Sequence, residues 1–441
     1  MEQNLYLTTA LHAIQTATLI SRSVLSALHS SPSSSEKTEE EKEEKEIHPS
    51  LLPYLSSLRS SQELIKAKSD LSPVTVADLA IQTVILQVLS TVFPSHGLVA
   101  EESAEQLRAD AQLLDCVQSV AVAHARESGF CWGTGGCEKL EEKAAVLEIL
   151  DRAGVGAGTG ITSQMSRGAE AREDGAVDGN GNGNENGTGV GLEDGNGQEQ
   201  AFWVVDPIDG TQAFLRGEQY AVNVALIRGG RQELSVVACP LLSADVTEGP
   251  VMDATVDAHG VGSVMFAARG QGAFVLPLEV DRELDVRKAR RLRRYADEVV
   301  STEQLRSVNA TRVDSGLRAV HEAVGERLGV EFPGCDLIGW VPRWVALARG
   351  LANMTVWVYK RRNRFAKIWD HAGAMLLFEE TGGVITDVDG RPINLSRGRL
   401  LDANFGFVAA PPQLHSLILA ETQQAIRSQG LEHLLAFQEL S

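Results

Sequence analysis

The chain has 441 residues, enough to bury a substantial core in one large or two medium domains. Its hydrophobic content of 43% is ordinary for a soluble globular protein. A formal net charge of −19, from 40 basic and 59 acidic residues, argues against a nucleic-acid-binding surface.

The first element in chain order is a helix expected over residues 5–28, with an apolar face of Leu7, Ala10, Leu11, Ile14, Ala17, Ile20 and Val24. Before His29 the chain carries Glu2 and a single basic residue, Arg22. This fits neither a secretory signal nor a basic transit peptide, so a cytoplasmic protein is expected. A Ser-rich stretch then leads into residues 36–46, a Glu/Lys run of net charge −4 that reads as a solvated loop. The spacing of apolar residues predicts a second helix over 77–92, closed by Phe93-Pro94. Val99 enters a strand that ends in Glu101-Glu102. Residues 164–200, rich in Gly, Asn, Asp and Glu with a net charge of −6, read as a disordered insertion, because they hold too little apolar surface to order themselves.

The five cysteines, Cys116, Cys131, Cys137, Cys239 and Cys335, show no zinc spacing. Cys131 and Cys137 are close enough in sequence for a local redox pair, but free thiols in a reducing compartment are expected. No run of about 18 apolar residues exists, so no membrane span is expected.

Phe202-Trp203-Val204-Val205 reads as a buried strand that runs into Asp206-Pro207-Ile208-Asp209-Gly210-Thr211. Two carboxylates at the end of a buried strand, on a Pro/Gly turn, are costly without something positive beside them. Hard divalent cations take clustered oxygen ligands of this kind. Beyond this point, hairpins are predicted from 221–227 to 234–238 and from 264–268 to 273–276. Helices follow at 341–351 and 372–380, and strands at 354–359 and 384–387. Gly382-Gly383 closes the 372–380 helix.

Two more segments complete a constellation. One is Ser72-Pro73-Val74-Thr75-Val76-Ala77-Asp78, followed by Leu98-Val99-Ala100-Glu101-Glu102-Ser103. The other is Lys367-Ile368-Trp369-Asp370-His371-Ala372-Gly373. With the 206–211 hexapeptide, they resemble the magnesium-dependent, lithium-sensitive phosphomonoesterase superfamily of inositol monophosphatases, inositol polyphosphate 1-phosphatases and 3′(2′),5′-bisphosphate nucleotidases. The stretch Leu215-Arg216-Gly217-Glu218-Gln219-Tyr220-Ala221-Val222 looks most like the fungal bisphosphate nucleotidases.

The resemblance implies an α/β fold, a layered αβαβα sandwich. Residues 1–285 would form an α+β metal-binding half with insertions at about 30–48 and 164–200. Residues 286–441 would form an α/β half supplying Asp370 and the specificity pocket. It implies Mg²⁺ held by Glu101, Asp206, Asp209, Asp370 and the Ile208 carbonyl, with Asp78 and Thr211 orienting and deprotonating the attacking water. By residue type, Asp78 also suits a helix N-terminal charge and Thr211 a helix cap. Gly210, Thr211, Arg343 and Lys367 are the expected substrate contacts. A cluster of four acids without cations would be strongly repulsive, which is the physical case for a metal site.

The implied reaction removes the 3′-phosphate of adenosine 3′,5′-bisphosphate, giving AMP and phosphate, with its sulfated relative PAPS a second substrate. Such an enzyme serves sulfate assimilation. The implied partner is a small phosphate ester, with no nucleic acid and no membrane, for a monomer or homodimer. Alternatives are an inositol phosphate or other small-metabolite phosphatase, and a catalytically silent nucleotide-binding paralogue. The chain departs from the nucleotidase pattern in its specificity pocket. Gly339-Trp340-Val341-Pro342-Arg343 stands where an Asp-Ser-x-x-Lys stretch is usual, Ser301-Thr302-Glu303 lacks the following Gly-His, and Ala366 stands where a Glu is common. Trp340 suits either stacking on a base or filling the pocket. The basic run at 360–364 is either a solvated loop or the seat of a second, non-scissile phosphate.

Overall fold

In the computed structural model the described residues are 2–29, 76–128, 136–154, 200–257, 260–293, 295 and 300–436. The Glu/Lys run at 36–46, residues 72–75, Cys131 and the low-complexity stretch 164–199 lie outside them.

A seven-stranded sheet is the centre of the molecule. It runs in chain order through β1 (Gly97–Ala100), β2 (Ala201–Asp209), β3 (Ala221–Arg228), β4 (Arg231–Cys239), β5 (Ser263–Ala268), β6 (Gly272–Pro277) and β7 (Arg290–Arg291). β1 and β2 are parallel and every later pair is antiparallel. Successive side chains of a strand point to opposite faces. Thus Phe202 and Val204 enter one core while Trp203 and Val205 enter the other. The run is apolar without alternation because helices cover both faces.

One face is covered by α1 (Glu2–His29) and α2 (Val76–Val92), backed by α3 (Ala111–Glu127) and α4 (Lys143–Ala153). The expected face of α1 is buried from Ala10 to Val24, with Leu7 partly so. Gln15 shares that buried face because its Nε2 donates to the carbonyls of Glu279 and Arg282, at 2.6 and 2.8 Å. α3 starts at Asp110, whose carboxylate accepts from the amides of Gln112 and Leu113.

The other face carries α6 (Trp340–Ala348) and α7 (Ala372–Glu380), preceded in the chain by β8 (Val308–Asn309), α5 (Arg318–Leu328) and β9 (Cys335–Asp336). Beyond α7 lies a smaller antiparallel sheet of β10 (Thr355–Trp357), β12 (Phe407–Ala410) and β11 (Val384–Thr386). α5 and α8 (His415–Ser428) close its far side. The layers therefore run α, β, α, β, α, as expected. No helix among the described residues is long and apolar enough to cross a membrane.

One strand corrects its expected form. β2 does not stop at Val205 before a turn but continues through Asp209. Asp206 pairs with Asn223 and Asp209 with Ala221, so three steps on β2 match two on β3. The extra residue is a β-bulge, placed where Pro207 has no amide to give the ladder.

Candidate active site

The bulge is what makes the hexapeptide a site. In a regular strand, residues three apart point to opposite faces. One inserted residue cancels that, and Asp206 and Asp209 turn to the same side. Asp370, just before α7, meets them there. One carboxylate oxygen of each of the three lies within 4.8 Å of the others.

Asp206 is fully buried, and neither of its oxygens is met by a hydrogen-bond donor from the protein. Burial raises its pKa well above the usual carboxylate range, and Glu101, Asp209, Asp370 and Asp78 push it further. Asp370 is raised to about 8, by burial first and then by Asp209, against the pull of Lys367. Asp209 is raised to about 6 by burial, opposed by the amide of Val341 and by Arg343. Three crowded acids, with both oxygens of Asp206 lacking a donor, fit a hard divalent cation, which would supply the missing partner and remove the repulsion.

Asp209 is held from the opposite layer. The N–H of Val341, in the first turn of α6, donates to its Oδ2. That close approach requires Gly339, where an added Cβ would fall 2.7 Å from the same oxygen. Gly210 follows with φ of +90°, a conformation that favours glycine, and turns the chain into the short helix Thr211–Phe214. The Thr211 hydroxyl lies 3.5 Å from Asp78 Oδ1 and 3.1 Å from the Ile208 carbonyl oxygen. Asp78 itself is buried in the first turn of α2.

The remaining expected residues divide. Glu101, half-buried at the end of β1, is near enough to raise Asp206 but stands outside the tight three-acid group. Lys367 is partly buried beside Asp370, its Nζ 5.7 Å from the centre of the Trp369 ring. Arg343 does not reach solvent, being only 1% exposed. Its Nη2 and Nε donate to the carbonyls of Ile338 and Gly339, and its guanidinium lies 3.7 Å from the centre of the Trp340 ring. It thus sits behind the pocket wall, where burial lowers its pKa to about 10. Trp340 packs against Arg343, Trp357, His371 and Phe407, filling space rather than offering a free face. In the basic run at 360–364, Lys360 pairs with Asp314 and Arg362 with Asp389. Those two charges are engaged by the protein itself.

His371 is buried and its Nδ1 accepts from Trp344 Nε1 at 3.0 Å. Burial keeps the ring neutral, which suits a structural post. Trp203 and Trp369 are core residues. Three supporting residues escape sequence reasoning. Asn223 donates from Nδ2 to the Trp369 carbonyl at 2.6 Å, tying β3 to the segment of Asp370. Its signal is a lone amide inside the apolar run of β3. Gln82 lies one turn from Asp78 in an apolar helix, which is a comparable signal. Arg399 has none.

The chain is similar to known proteins along most of its length. The model of the inositol monophosphatase family matches residues 172–427. The 3′(2′),5′-bisphosphate nucleotidase of Oryza sativa is 30% identical over 375 residues, covering 84% of this chain and 88% of that protein. The nucleotidase of the same name from Emericella nidulans is 28% identical over 374 residues, covering 82% and 90%. The one from Schizosaccharomyces pombe is 26% identical over 355 residues, covering 80% and 85%. The family model spans more than half of the chain and these relatives align along most of it, so the chain belongs to the inositol monophosphatase family.

Proposed function

We propose that the protein is a Mg²⁺-dependent phosphomonoesterase that hydrolyses the 3′-phosphate of adenosine 3′,5′-bisphosphate to AMP and phosphate. The observation that carries this reading is the convergence of Asp206, Asp209 and Asp370 beside the Asp78–Thr211 pair, in a chain alignable along most of its length with bisphosphate nucleotidases. Glu101, Asp206, Asp209, Asp370 and the Ile208 carbonyl would hold Mg²⁺. When bound, it supplies charge neutralisation at the phosphoryl oxygens and favours ionisation of the attacking water.

The chain's own part is to orient and to move one proton. The Thr211 hydroxyl has one hydrogen and two acceptors in reach, Asp78 and the Ile208 carbonyl. Directed at Asp78, it leaves its lone pairs free to accept from water, so the pair takes the proton of the attacking water. The water oxygen bonds to phosphorus as the bond from phosphorus to O3′ breaks, and the leaving oxygen takes a proton from solvent water while the Asp78–Thr211 pair later returns its proton to solvent. Backbone at Gly210 and Thr211 and the ammonium of Lys367 are the proposed contacts to the scissile phosphate. Arg343, screened by Trp340, supports the wall behind Asp209. The three buried free thiols Cys116, Cys239 and Cys335 accord with a reducing compartment, and we place the activity in the cytoplasm.

The test is phosphate release by the purified chain with Mg²⁺ from adenosine 3′,5′-bisphosphate, PAPS, adenosine 3′-monophosphate and inositol phosphates. The reading expects bisphosphate nucleotides to be turned over fastest. Hydrolysis of inositol phosphates alone would shift it to a second reading, a phosphatase for another metabolite. That reading is favoured by one observation: Trp340 and Arg343 fill each other's space where a nucleotide pocket needs open groups.

A further inference from the structure

Glu101 is the one expected acidic ligand delivered by a strand on the far side of β2 from Asp370. The backbone of Glu101 and its neighbour Glu102 is gripped from two directions. From α2, Gln82 Nε2 donates to the Glu102 carbonyl at 2.7 Å, and Gln82 Oε1 accepts from the Glu102 amide at 2.8 Å. From almost 300 residues along the chain, Arg399 Nη2 donates to the Glu101 carbonyl at 3.3 Å. The same guanidinium donates through Nη1 to the carbonyl of Ala153, the last residue of α4, at 2.9 Å. It also lies 4.5 Å from the centre of the Trp369 ring, next to Asp370.

Arg399 is itself laced to the Asp370 segment. Its carbonyl accepts from the Ile368 amide, and the Leu401 amide donates to the Ala366 carbonyl, both at 2.9 Å. One guanidinium thus joins the end of β1, the end of α4 and the loop before α7. The two Nη atoms reach two different carbonyls from one rigid planar fork, whereas an ammonium would have to serve both from a single nitrogen. Burial lowers the pKa of Arg399 to about 10, while Glu101 and Glu102 pull it back up, so the cation stays charged beside them.

We propose that Arg399 is a positioning residue that sets Glu101 against the Asp206–Asp209–Asp370 cluster, so that the C-terminal half of the chain places a metal ligand belonging to the N-terminal half. This rests on the reading that these acids hold divalent cations. Partners that orient ligands in this way typically matter by roughly 10- to 100-fold in metal affinity.

The experiment uses the full chain as wild type, Arg399→Met, Arg399→Lys, Glu101→Gln and the Arg399→Met/Glu101→Gln double variant. Mn²⁺ binding is followed by electron paramagnetic resonance, and amide hydrogen exchange over residues 98–104 is followed without metal. Arg399→Met is expected to weaken Mn²⁺ binding roughly tenfold or more and to speed exchange over 98–104. Arg399→Lys should fall between it and wild type. In the double variant, Arg399→Met should add little to the loss from Glu101→Gln, since it acts through that residue.

Wild-type Mn²⁺ affinity in Arg399→Met, or fully additive losses in the double variant, would overturn the proposal. Should Arg399→Met fail to fold, Arg399→Lys decides, since wild-type affinity there would show that the fork is not needed. If the wild-type chain binds no Mn²⁺, the metal reading fails. The exchange arm then still reports whether Arg399 holds the Glu101 segment.

Discussion

Two charged clusters lie buried within one turn of α6 of each other, and they solve burial in opposite ways. At the end of β2, Asp206, Asp209 and Asp370 crowd together with Asp206 unmet by any protein donor. Behind Trp340, the Arg343 guanidinium is met by two carbonyls and two aromatic rings. A cation from outside the chain would complete the acidic cluster, whereas the basic one lacks a partner only at Arg343 Nη1. A buried charge that the fold leaves short of partners marks where a ligand is to come. A buried charge that the fold surrounds marks architecture.

The contrast breaks most readily at the acids. Asp206→Asn or Asp209→Asn is expected to lower the turnover number by about 10²-fold or more, as loss of charge stabilisation at a metal centre does. Chelation should abolish phosphate release and Mg²⁺ restore it. Full activity in excess chelator would show that the cluster is not a cation site. Next in size, Thr211→Val should lower turnover by about 10²-fold with little change in melting temperature, because it removes the proton acceptor and keeps the shape. Thr211→Ser should recover most of the rate.

At the basic cluster the expected loss is of stability. Arg343→Ala should cost roughly 2–4 kcal/mol, since it leaves a cavity beneath Trp340. Calorimetric unfolding of the variant measures it. A variant that melts like wild type, with a raised Michaelis constant for bisphosphate nucleotides only, would instead make Arg343 a substrate contact.

A smaller effect concerns pH. Asp206, Asp209 and Asp370 have folded pKa values raised above those of an unfolded chain, the last two to about 6 and 8. The folded metal-free protein therefore binds more protons than the unfolded one across that range, and its stability falls as pH rises from about 4 to 8. Added Mg²⁺ should raise the melting temperature more at pH 8 than at pH 5, because it replaces protons. An equal rise at both values would mean that the acids ionise without its help. The least effect belongs to Lys360, whose partner Asp314 is fully exposed, and Lys360→Ala should leave the melting curve unchanged.

Most of the chemistry was legible in the residues. The Asp206–Asp209 carboxylates and the sheet-forming hairpins are local patterns, read from residue type and spacing over a few positions, whereas Asp78, Glu101, Thr211 and Asp370 are picked out only by the resemblance of their motifs to a known family. Helical and strand periods are properties of single segments, so α1, α2 and the strands after Asp209 could be placed without a fold. What the tertiary structure decided is which of these groups meet and which are shielded. The bulge at Pro207–Ile208 appears only when β2 is laid against β3, and it alone turns Asp206 and Asp209 to one side. Arg343 was expected to touch substrate, yet Trp340 and Trp357 cover it, since the burial of a charge depends on neighbours from other segments. Arg399 carried no local signal, because its contacts with Glu101 and Ala153 are separated from it by 298 and 246 residues. Sequence determines which donors and acceptors exist, whereas the hydrogen bonds and dielectric surroundings that give them roles arise between distant segments brought together by the packed layers.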